Sequence, residues 1–182
     1  MGCRLDHARV LKEYPDRGKI IYRKVLPLVG LLQDDYGGEK DCTLTSMACI
    51  FGAEHYGEIE QIAKRYGYSA SGSGTNPLTI RAIMLDVMNR LGVDGKARCA
   101  YGKRIGWTLK RVKKILEGGA PVILNLWSDG RGYYRNHSVT ISGVMEYESA
   151  SFLLVLDNWD KTVSMIDYDK LSIISSINWI EK

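Results

Sequence analysis

"VKKILEGGAPVILNL", residues 112–126, contains the change of pattern on which the fold turns. Its first half closes an amphipathic helix, "WTLKRVKKILEGG" (107–119), which stops at glycine. After Pro121 the chain reads as strands. "VILNLW" (122–127), "HSVTISGVMEY" (137–147), "SFLLVLDNW" (151–159), "TVSMI" (162–166) and "SIISSINWI" (172–180) are rich in β-branched and aromatic residues.

Upstream of this boundary the spacing is helical. Residues 42–52 form an apolar run, and in "GEIEQIAKRYG" (57–67) Ile59, Ile62, Ala63 and Tyr66 share one face. Pro77 opens a helix over "LTIRAIMLDVMNRLG", striped by Ile80, Ile83, Met84, Val87 and Leu91 and ended by Gly92. A short helix is expected within 1–14, an edge strand or extended arm over 19–32, and loops at 34–40 and 69–77. Helices first and strands second imply an α+β architecture, with a cleft where a helical half meets an antiparallel sheet.

The chain has 182 residues, 45% hydrophobic and 25% charged, enough for one compact domain with a real core. Within it, 1–30 reads as an N-terminal arm, 42–119 as a mainly helical half and 121–182 as a mainly β half. A net charge of +4 is no nucleic-acid signature, and the lysine-rich run at 103–114 reads as a solvated helix face. "SASGSGTNP" (69–77) lacks the Gly-Lys-Ser/Thr ending of a phosphate loop.

No apolar stretch reaches the roughly 20 residues that cross a bilayer. "MGCRLDHARV" (1–10) has no apolar leader core, so the expected location is cytoplasmic; a secreted chain already relieved of its leader would read the same way. "MGC" suggests lipidation, but Asp6 stands where serine or threonine is required. Four cysteines without a CxxC pair and three histidines indicate neither a disulfide scaffold nor a zinc site. No cofactor or metal is expected, and no oligomeric state is indicated.

The chemistry concentrates around "EKDCTLTSMACIFG" (39–52). A reactive cysteine must be a thiolate, and the N–H groups and dipole of a helix N-terminus stabilise that charge. Cys42 stands where the helix begins, with Asp41 as the expected N-cap; Cys49, two turns deeper, reads as core filling. A histidine nearby pairs with the thiolate and protonates the leaving group. His137 opens a strand after "SDGRGYYRN" (128–136), whereas His7 and His55 lie on surface segments. "LLVLDNWD" (153–160) returns Asp157 and Asn158 alongside His137, where an acid or amide orients the imidazole.

These residues resemble those of the papain-like cysteine peptidases, particularly the compact bacterial staphopains and peptidases similar to the double-glycine bacteriocin-leader processing family. The resemblance is carried by "DCTLTSMACI", "NHSVTISGV", "LVLDNWDK" and "VKKILEGGAPVILNL", and spans about residues 30–180. It implies a papain-like fold, with Cys42 as nucleophile, His137 as general acid/base, Asp157 as orienter and Trp159 as a shield over the pair. Asn158 is the rival orienter, because papain-like enzymes use an amide at this station. Such families place an oxyanion glutamine five or six residues before the cysteine. Here Tyr36 stands six before, and Gln33, nine before, takes that role only if a longer loop folds back. Thr43 replaces a frequent glycine.

The implied partner is a peptide or protein substrate, with Trp127, Tyr133 and Tyr134 as candidate contacts on the loops flanking the cleft. Two alternatives remain open at this level. One is a Cys-His-Asp acyl or amide transferase of transglutaminase type, and the other is an inactive binding module on the same scaffold.

Overall fold

In a computed structural model, residues 4–37, 40–127, 134 and 136–182 are described. The β half carries β4 (Val122–Leu126), β5 (His137–Tyr147), β6 (Ser151–Leu156), β7 (Val163–Asp167) and β8 (Ser175–Glu181). Three further strands come from the N-terminal part: β1 (Arg4–Leu5), β2 (Ile20–Val25) and β3 (Lys96–Tyr101). All pair antiparallel in one open sheet, in the order β1-β7-β6-β5-β4-β8-β3. β2 continues the line of β4 along the same side of β5, pairing with 143–147 while β4 pairs with 137–141.

The helices are α1 (His7–Glu13), α2 (Cys42–Phe51), α3 (Tyr56–Arg65), α4 (Ile80–Leu91) and α5 (Leu109–Glu117). Alternation along β4 decides which face each covers. Val122, Leu124 and Leu126 pack with Val112 and Leu116 of α5, while Ile123 packs with Leu44, Met47, Ile59, Ile83 and Met84 of α2, α3 and α4. The chain is therefore α+β, with α2–α4 on one face of an antiparallel sheet and α5 on the other. Among the described residues no helix is long and apolar enough to cross a membrane.

The register of β5 shifts against β6 between Ile141 and Gly143, and this bulge reverses the alternation. Before it, Val139 and Ile141 face α5 and Thr140 faces α2; after it, Val144 faces α5, and Met145 and Tyr147 pack with Val10 of α1. Gly143 belongs at this position because a Cβ would stand 2.4 Å from the Lys24 carbonyl oxygen of β2.

Three departures of the observed elements from the expected ones bear on the site and the sheet. β3, inside the segment expected to be helical, forms the far edge of the sheet. Its sequence "KARCAY" has no β-branched residue and is charged, as suits an edge, with Arg98 paired to Glu181 at 2.7 Å. α4 begins at Ile80 instead of directly after Pro77, because Asn76 first closes a turn: its side chain accepts from Leu78 N–H at 3.0 Å and its carbonyl from Thr79 N–H at 3.0 Å. α5 begins at Leu109, since Thr108 caps it and Trp107 is buried in the core.

Candidate active site

Cys42 is the first residue of α2 and is partly exposed. Asp41 does not cap the helix: at φ −91°, ψ 7° its side chain is not in the extended setting that reaches back to the first free N–H groups. Its buried carboxylate instead accepts from the hydroxyls of Tyr56 and Tyr68. Burial and then the hydrogen bond to Asp41 push both phenols up, so both remain neutral donors. Tyr68 leads into the loop whose residues 73–78 form one wall of the site, and this wall is thus tied to the residue before Cys42.

His137 begins β5 beside Leu126, the last residue of β4. Its ring packs in a cluster with Trp159 (4.5 Å between centroids, 25°) and Tyr134 (5.5 Å, 5°). Its Nε2 lies 2.7 Å from the backbone carbonyl of Asp157. A carbonyl only accepts, so Nε2 carries the proton.

Burial pushes the Cys42 thiol up. The hydrogen bond and positive charge of the His137 imidazole, helped by the N–H of Ser138, outweigh it and hold the thiol below its ordinary value. Cys49 shows burial without such a partner. Its thiol is pushed up, despite hydrogen bonds to the Leu31 backbone and the Thr140 hydroxyl.

The expected route from Asp157 to His137 is corrected in one respect. The main chain of Asp157 meets the ring, while its carboxylate accepts from the Trp159 N–H at 3.2 Å, Ser164 Oγ at 3.1 Å and Tyr134 Oη at 3.0 Å. Tyr134, expected on the substrate side, is buried behind the imidazole at 4% exposure. Asn158 points away from the ring. Tyr133 lies outside the described residues.

A cleft of about 690 Å³ opens over this pair. Gln33, Trp127 and Trp159 line it with Cys42 and His137, and residues 73–78 form the facing wall. Gln33 starts a single turn of 3-10 helix, Gln33–Tyr36, that folds back toward the strand ends, its N–H donating to the Asn158 carbonyl at 2.9 Å. Tyr36 instead stacks on Tyr56, with centroids 3.8 Å apart.

The floor beside Cys42 is a run of polar side chains of which the sequence points to Thr43 alone. Thr43 and Ser138 hydroxyls lie 2.7 Å apart, Ser138 Oγ donates to Asn125 Oδ1 at 2.7 Å, and Asn125 Nδ2 to Ser176 Oγ at 3.3 Å. The available signals were one asparagine in an otherwise apolar strand, "VILNL", and the alternating hydroxyls of "HSVTIS". Among the described residues no group of three or more potential metal ligands is gathered.

No protein-family model matches the chain, and a search of curated proteins finds no relative.

Proposed function

We propose that the protein is a papain-like cysteine peptidase acting on peptide or protein substrates. The observation that supports this most is the pairing of a helix-start cysteine with a strand-start histidine in an open cleft, in an arrangement that lowers the thiol. With Nε2 held by the Asp157 carbonyl, Nδ1 is the nitrogen left to take the Cys42 proton. The thiolate attacks the peptide carbonyl, and the resulting oxyanion is met by the Cys42 N–H and the Gln33 amide. The imidazolium protonates the departing amine, leaving a thioester on Cys42. His137 then takes a proton from water, which hydrolyses the thioester and frees the acid.

Selective alkylation tests the reading. Sub-stoichiometric iodoacetamide at neutral pH should modify Cys42 well before Cys3, Cys49 and Cys99, and Cys42→Ser should abolish cleavage of a peptide library. Equal labelling of the four cysteines would overturn it. Reactive Cys42 together with aminolysis of the acyl-enzyme in preference to hydrolysis, when a primary amine is supplied, would instead favour the transferase.

The contact between His137 and a main-chain atom gives a second expectation. Asp157→Asn keeps that carbonyl, so kcat should fall by less than about tenfold. A carboxylate bonded directly to the imidazole typically costs about 10⁴ on the same change. A loss of that size would show that the side chain, and not the backbone, holds the ring during turnover.

A further inference from the structure

Asn158 adopts a left-handed backbone conformation (φ +67°), which asparagine tolerates better than most residues with a side chain. The turn carries its side chain between α2 and β5, where the residue is 1% exposed. Nδ2 donates to the Cys42 carbonyl at 3.0 Å, to Ser46 Oγ at 3.0 Å and to the Ser138 carbonyl at 3.2 Å. Two of these acceptors are carbonyls, which cannot donate, so it is the amide nitrogen that must face them. The Asn158 carbonyl in turn accepts the Gln33 N–H at 2.9 Å.

One residue thus grips four pieces of the site. They are the residue bearing the nucleophile, the next turn of its helix, the residue after the histidine, and the turn bearing the candidate oxyanion amide. Ser138, whose N–H helps stabilise the Cys42 sulfur, has its carbonyl held by the same amide.

We propose that Asn158 is a positioning residue that fixes α2 against the start of β5 and thereby sets the Cys42–His137 geometry. It does so without touching the imidazole or the substrate. The inference rests on the peptidase reading in taking Cys42 and His137 as the reacting pair.

Two variants test it. Asn158→Gly keeps the left-handed backbone and removes the side chain. Asn158→Asp keeps size and turn preference but sets a carboxylate against two carbonyl oxygens. In folded protein, verified by near-ultraviolet circular dichroism, both should raise the pH midpoint of Cys42 alkylation by about one unit. Both should also lower kcat about ten- to a hundredfold, the scale of an ångström-sized misplacement, with KM within about threefold. Asn158→Asp should be the more severe, and if it fails to fold, Asn158→Gly carries the test alone. A low midpoint in the wild type that both variants retain, with kcat unchanged, would overturn the clamp while leaving the pair intact, even if stability fell. An ordinary midpoint in the wild type would remove the pair itself and the clamp with it.

Discussion

Replacing His137 with alanine is expected to move the midpoint of Cys42 alkylation upward, past the ordinary thiol value of about 8.5. The sign follows from the balance at the sulfur. Burial raises the thiol, and the hydrogen bond and charge of His137 are the largest opposing effects, with Ser138 adding to them. Without the imidazole, burial faces the Ser138 N–H alone. At neutral pH there is about tenfold less thiolate for every pH unit the midpoint climbs, and labelling slows in proportion. Peptide cleavage should fall further, by about 10²–10⁴, because the acid that protonates the amine is lost as well. Alkylation rates of wild type and variant across pH 5–10 provide the check. Superimposable curves would mean that His137 does not activate Cys42.

Gln33→Ala should separate two functions that His137→Ala removes together. Gln33 is buried and lines the cleft with Cys42, and its backbone N–H, bonded to the Asn158 carbonyl, keeps the turn in place without the side chain. Losing one oxyanion donor costs about 10²–10³ in kcat, or about 2.7–4 kcal/mol, with little change in KM. Alkylation of Cys42 should be unaffected, because displacement of iodide from a methylene carbon develops no carbonyl oxyanion. A parallel fall in alkylation would assign Gln33 to ordering the cysteine. An unchanged kcat would remove it from oxyanion stabilisation.

The α+β class and the positions of Cys42 and His137 were readable because each depends on a local signal: periodicity, a helix start, a strand after a polar loop. β3 was not, since "KARCAY" owes its strand state to pairing with β8 and not to propensity. Gln33 could be named but not placed from its spacing, because its approach to the cleft depends on a 3-10 turn and on a bond to a residue 125 positions away. Asp157 illustrates a different limit. Its identity drew attention to a carboxylate, yet the atom against His137 is one that every residue carries. Asn158 was weighed for what its amide does to a ring, and its partners turned out to be two carbonyls and a serine. Neither outcome is encoded in residue type; both follow from how the turn at 157–159 is set.

The bulge after Ile141 makes β5 two strands in one, out of phase with each other. Its first half turns hydroxyls toward α2 and forms the bed of the cleft; its second turns a methionine and a tyrosine toward α1 and forms an ordinary apolar layer. The chain can therefore vary the distal layer, and the N-terminal segment resting on it, without rewriting the chemistry at the proximal end.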